Sequence, residues 1–257
     1  MMLRVWVCML PIVLASCAMS GQSARKADSR ESARLNTQLG IEYLRKGDIE
    51  LAREKLLKAV AMDPENAEAN GALGLLYANT GETSKAEKHY EKSLRLEPDD
   101  PNVLNNFGAL LCAQGKYAQA DLQFLRASRN TRYQAPELAL TNAGVCARRM
   151  PDDDKAENYF REALKLNPNF ADALGQMALL SADHARYLNA RGFLQRYQAL
   201  QAPMTHSMLL LGIRIELALG DRDAAQRYAQ TLRTEYPDEA RDSNLEHAPG
   251  AAGHYNP

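Results

Sequence analysis

AEANGALGLLYANTGETSKAEKHYEKSLRLEPDD, residues 67–100, decides the fold through seven marked positions: Leu73, Gly74, Tyr77, Gly81, Ala86, Tyr90 and Pro98. Moving back 34 positions returns the same classes as Leu39, Gly40, Tyr43, Gly47, Ala52, Leu56 and Pro64; moving forward 34 returns Phe107, Gly108, Leu111, Gly115, Ala120 and Phe124. Each mark has a mechanical cause. Gly74 and Ala86 are small because two helices cross there. Gly81 sits where the first helix of the pair stops and reverses, a left-handed position that glycine takes without strain. Pro98 ends the second helix, because it disfavours helix at Glu97 and has no backbone N–H to donate.

A 34-residue period carrying these classes is the tetratricopeptide signature. It predicts an all-α superhelical solenoid of six helix-turn-helix repeats. The first repeat spans helices near Ala33–Lys46 and Ile49–Ala61, the second Ala67–Asn79 and Thr83–Leu96, the third Asn102–Gln114 and Tyr117–Arg129. Arg132 stands where the third closing proline belongs, and the connection Asn130–Pro136 is two residues longer. The fourth repeat, near Glu137–Arg149 and Asp153–Leu166, keeps Gly144, Ala156, Phe160, Ala163 and Pro168 in register, with Met150-Pro151 replacing the glycine turn. The fifth keeps Leu174, Ala178, Ala190, Leu194 and Pro203 but has Ala185 at the turn. The sixth, from Thr205, has Gly212, Ala225, Tyr228 and Pro237, with its turn slipped by one to Gly220-Asp221.

A chain of 257 residues with about half of them apolar suits one or two ordinary domains. The repeat decides for one elongated domain with a continuous core between neighbouring units. Charge is balanced, 31 basic against 32 acidic residues, and aromatics are sparse, so no nucleic-acid footprint is present.

The N-terminus reads differently. Met1–Arg4 carries one positive charge, Val5–Leu14 is an apolar run without an acid, and Leu14-Ala15-Ser16-Cys17 follows. The run is too short for a permanent membrane span and reads as a signal sequence, residues 1–16. Leu-Ala-Ser-Cys resembles the lipobox of bacterial lipoproteins. That resemblance implies lipidation of Cys17, and Ala18, in place of an aspartate, implies sorting to the outer membrane. Residues 17–32 are then expected to be the lipidated cysteine and a flexible tether, 33–237 the six repeats, and 238–257 a disordered tail rich in Gly, Pro and charge.

Few residues carry chemistry. Cys8 leaves with the signal. Cys112 and Cys146 lie late in the first helices of repeats three and four, which pack side by side; in an oxidising compartment they can pair, or stand as two small buried thiols. His89, His184, His206, His247 and His254 are scattered and form no metal-ligand spacing, and read as solvated or tail histidines. Asp152-Asp153-Asp154 precedes a helix and reads as cap and dipole partner rather than cation site. No phosphate loop, nucleophile elbow or supported carboxylate pair occurs, so neither an enzyme nor a cofactor, metal or small-molecule substrate is expected. The concave surface of a solenoid is its usual place of function. Asn102, Asn105 and Ala109 in repeat three, with Asn106 beside them, are candidate groove positions, and the asparagines can hold an extended peptide through their side-chain amides. Thr37, Ile41, Leu44, Gly71, Leu75 and Ala78 make a more apolar patch, which either faces the groove or packs on the next helix. The lysines and arginines of a chaperone-type carboxylate clamp are not at the groove positions.

Two stretches go beyond the generic repeat: Val103-Leu104-Asn105-Asn106-Phe107-Gly108 with Gly115-Lys116-Tyr117, and Ser207-Met208-Leu209-Leu210-Leu211-Gly212-Ile213-Arg214. Together they resemble the type IV pilus biogenesis and stability lipoproteins of the PilW/PilF family. The resemblance extends over nearly the whole mature chain and includes the cysteine pair of some members, which favours a Cys112–Cys146 bridge. It implies a pilotin: an outer-membrane lipoprotein, held by an acyl anchor on the periplasmic face, that binds the pilus secretin and helps it reach that membrane and form its multimer. The tail after Pro237 departs from the family. The alternative is another periplasmic repeat scaffold that organises envelope or cell-wall proteins.

Overall fold

The computed structural model describes residues 15–150 and 152–238, with side chains from Ala27 onward. Among these residues the secondary structure is twelve α-helices and no strand: α1 (Ala15–Lys46), α2 (Ile49–Met62), α3 (Ala67–Asn79), α4 (Thr83–Leu96), α5 (Pro101–Ala113), α6 (Tyr117–Ser128), α7 (Pro136–Arg148), α8 (Asp153–Leu166), α9 (Ala171–Asp183), α10 (Tyr187–Ala199), α11 (His206–Ala218) and α12 (Arg222–Glu235). The chain is an all-α tetratricopeptide solenoid. Its starts are capped by the residues that the sequence supplies. Asp48 accepts from Leu51 N at 3.3 Å, Asn66 from Ala69 N at 2.9 Å, Asp152 from Lys155 N at 3.1 Å, and Asp221 from Ala224 N at 3.0 Å. Each such cap contributes about 1 kcal/mol.

The turns follow from hydrogen bonding at the helix ends. Gly81 has φ +76°, and the turn closes with Glu82 N donating to Tyr77 O at 2.8 Å. Repeat five makes the same closure, Arg186 N to Ser181 O at 2.8 Å, with Ala185 forced to φ +56°.

The described residues divide into two compact units, one up to Val103 and one from Leu104 onward. In the first, α1 packs on α2 and α3, and α3 on α4. Leu56, Leu73, Leu76 and Tyr90 are its largest fully buried side chains. A Cβ on Gly74 would lie 2.4 Å from Tyr90 Cδ1, so the close approach of α3 and α4 requires glycine. In the second unit, α7 packs on α8, α9 on α10 and α11 on α12. There Gly144 meets Phe160 in the same way, with a Cβ 2.4 Å from the ring. The longer connection after α6 places Tyr133 in the core at 9% exposure, and burial pushes its hydroxyl pKa up.

One part of the sequence reading changes. The sequence pattern predicts a lipidated cysteine and flexible tether over residues 17–32, yet helix α1 runs unbroken from Ala15 to Lys46. Polar contacts fix its described portion where apolar periodicity is missing: Ser29 Oγ donates to Met62 O at 2.9 Å, and Arg30 lies 4.0 Å from Asp63. Ala33 begins the buried face. The expected signal up to residue 14, including Cys8, and the tail from residue 239, including His247 and His254, lie outside the described residues; so do the side chain of Cys17 and residue Pro151 of the fourth turn.

Candidate functional site

The surface offered by the first helix of each pair is the natural candidate, because a solenoid's usual place of function is its concave surface, which the first helices line. In the first unit Ile41 is 36% exposed, and Leu44, Leu75 and Ala78 are half-buried, which makes a shallow apolar strip on α1 and α3. Thr37 and Gly71 do not belong to it. Thr37 is fully buried, donating to Ala33 O at 2.9 Å and accepting from Asn66 Nδ2 at 3.3 Å. Gly71 is closed over by Val103 Cγ2 and Ser93 Oγ, which a Cβ would meet at 2.8 and 3.2 Å. The period correctly assigns these two to the first helices but not their depth. Leu35 and Leu39 are 49% and 47% exposed, whereas Leu73, the counterpart of Leu39, is completely buried. The first repeat has no earlier repeat among the described residues to cover that position. Asn102, near the end of this unit, is exposed.

In the second unit Asn105 is a correction: it is 6% exposed and held within a row of amides. Asn142 Nδ2 donates to Asn105 Oδ1 at 2.9 Å, and Asn105 Nδ2 lies 3.4 Å from Asn106 Oδ1. Asn105 therefore orients Asn106 and Asn142, which are half-buried, and Ala109 stands exposed a turn further along α5. Cys112 and Cys146 are joined by a disulfide with Cα atoms 5.9 Å apart, tying α5 to α7. Beyond it a ladder of charges crosses three first helices. Arg148 of α7 bonds Asp183 of α9, and Asp183 Oδ1 accepts from Arg214 Nη1 of α11 at 2.8 Å. Arg214 also donates to Ala182 O at 2.9 Å. This ladder was not read from the sequence. Its signal is opposite charges close to one period apart in the C-terminal halves of successive first helices, comparable to the second-helix pair Lys155 to Asp121 at 2.9 Å.

The aspartate triplet behaves as helix-start chemistry. Asp152 is the N-cap, and Asp153 and Asp154 occupy the first turn of α8. His184 Nε2 lies 3.4 Å from Asp153. His89 is not a solvated histidine: it stacks on Tyr77 with centroids 5.5 Å apart and meets Asn70 Oδ1 at 3.1 Å, and burial lowers its pKa. Among the described residues no three His, Cys, Asp or Glu side chains gather as a metal site, and no helix is long and apolar enough to cross a membrane.

Four segments match the tetratricopeptide repeat family: residues 37–101, 89–121, 139–170 and 206–239. Over 234 residues the chain is 34% identical to the type IV pilus assembly protein PilF of Pseudomonas aeruginosa, covering 90% of this chain and 92% of that one. The chain belongs to the PilF family. The solved structure of Pseudomonas aeruginosa PilF superimposes with a TM-score of 0.74 at 32% identity, covering 85% of this chain and 99% of that one. A crystal structure of PilW, described as a widely conserved type IV pilus biogenesis factor, gives 0.76 at 27% identity, covering 83% and 98%. In this PilF family member the candidate surface is thus an apolar strip on the first unit and, on the second, an amide row, a disulfide and a charge ladder.

Proposed function

We propose that this chain is an outer-membrane lipoprotein, anchored through Cys17 on the periplasmic face, that binds the type IV pilus secretin and promotes its outer-membrane localisation and multimer assembly. The observation that carries this reading is the 34% identity to PilF across nine-tenths of both chains. An array of helix pairs with accessible Ile41, Leu44, Leu75 and Ala78 and an oriented amide row suits recognition of a protein segment rather than catalysis. The continuity of α1 adds a physical element. Sixteen residues of helix from Cys17 to Ala33 rise about 24 Å, so the anchor is linked to the array through a rod, which sets a standoff from the lipid surface.

The mature protein, immobilised and exposed to solubilised membranes, is expected to retain the secretin. Recovery of cell-wall enzymes without secretin contradicts the proposal and favours a general periplasmic scaffold. Cys17→Ser is expected to leave the helices folded but release the protein from the membrane fraction. Unchanged fractionation contradicts the anchor.

A further inference from the structure

Helix α10 carries Arg191 and Arg196 and no acidic residue. Clefts run along both of its flanks, and they differ in what their cations are doing. On the α12 side a cleft of about 430 Å³ is lined by Arg191, Glu216, Asp221 and Tyr228 among others. There Arg191 is spent on the buried Glu216 through two hydrogen bonds. On the α8 side a cleft of about 290 Å³ has Leu164, Met177 and Phe193 as apolar lining and Arg161, Lys165 and Arg196 as charged lining. Arg161 shares Glu157 with Arg186, at 2.6 and 2.8 Å, so one carboxylate answers two guanidinium groups. Arg196 donates to Pro168 O at 2.7 Å and lies 5.8 Å from the centre of the Phe193 ring. Lys165 is exposed. The cleft therefore holds a surplus of positive charge above a recessed apolar lining.

The ridge beside it is also open. Leu188 is 71% exposed, and one turn later Gly192 sits in the middle of the helix with nothing within 4 Å of where its Cβ would be. A glycine there weakens the helix and serves no packing purpose within this chain. It leaves a notch in which a partner backbone can approach between Leu188 and Arg196.

We infer that the α8–α10 cleft is a docking surface for an acidic amphipathic helix of a partner protein, whose apolar side chains cover the partly exposed Leu164 and Phe193, backed by the buried Met177, and whose carboxylates meet Arg161, Lys165 and Arg196. Charge complementarity selects this occupant, and the recession of the apolar lining favours side chains over a flat anionic membrane. The charged lining lies on the second helices α8 and α10, with Met177 of α9 at the base, and the inference does not depend on the identity of the secretin as partner.

The test places a benzophenone amino acid at residue 192 of the full-length protein in its native cells, with a control at the exposed Leu122 position on α6. The expected result is a protein crosslink from 192 well above that from 122, mapping by mass spectrometry to a segment with apolar residues at helical spacing flanked by Asp or Glu. Lys165→Glu with Arg196→Glu should cut its yield about tenfold, while circular dichroism and the Cys112–Cys146 bridge stay unchanged. The same segment as a synthetic peptide should bind the purified protein and lose affinity with that double substitution. Equal yields at 192 and 122, a lipid adduct, a crosslink to a second copy, or a segment without carboxylates overturns the inference.

Discussion

The disulfide offers a perturbation whose size follows from topology. Cys112 and Cys146 are 34 positions apart and close a loop that contains all of α6 and most of α7. Constraining a loop of that length removes about 13 cal/mol/K of chain entropy from the unfolded state, or about 4 kcal/mol at 25 °C in the chain-entropy account. The bond lies entirely in the second unit, so the effect belongs to the unfolding of residues 104–238. With a urea dependence of about 2 kcal/mol/M for a unit of this size, reduction should lower its midpoint by about 2 M. The measurement is urea unfolding followed by circular dichroism at neutral pH, with and without a thiol-free reductant, on the same preparation. Cys112→Ala with Cys146→Ala should reproduce the reduced curve or fall slightly below it, because both sulfurs are buried, at 6% and 3% exposure, and their removal leaves small voids. Oxidised and reduced midpoints that agree within about 0.3 M, inside the uncertainty of such fits, refute the assignment of this bond as a structural tie between repeats three and four.

Ala185→Gly should stabilise the second unit by about 1 kcal/mol, seen as a raised thermal midpoint, because it relieves an alanine at φ +56°. Arg191→Ala should cost about 3 kcal/mol by urea unfolding, since it strands Glu216 at 4% exposure, whereas Arg191→Met with Glu216→Leu should be nearly neutral. Burial holds the His89 pKa below its usual value, so the unfolded chain takes up the proton first. Stability of the first unit is therefore full above the ordinary histidine pKa and falls as pH drops through the lower folded value. His89→Gln should flatten that limb of a stability-against-pH curve.

Much of this architecture was legible because a solenoid repeats its own instructions. Gly74 opposite Tyr90 and Gly144 opposite Phe160 are sixteen positions apart in both cases, and that spacing fixes where the paired helices cross. Helix limits follow from Asp48, Asn66, Asp152 and Asp221 as caps and from Gly81 and Gly220 as stops. What periodicity cannot carry is depth. Thr37, Gly71 and Asn105 share the register of Ile41, Leu75 and Ala109, yet each is closed over by a neighbour contributed from elsewhere in the chain. The helical stretch before Ala33 was hidden for the opposite reason. Ser29 and Arg30 dock it through polar contacts that leave no apolar pattern to read.

Action on the pilus secretin at the outer membrane, the function proposed for this PilF family member, has a direct cellular readout. The most direct measurement is the amount of detergent-resistant secretin multimer in outer-membrane fractions, compared between cells with the intact gene, cells lacking it, and cells complemented with it. The multimer is expected to be lost without the gene and restored by complementation. Multimers of unchanged amount and location in its absence contradict the proposed function.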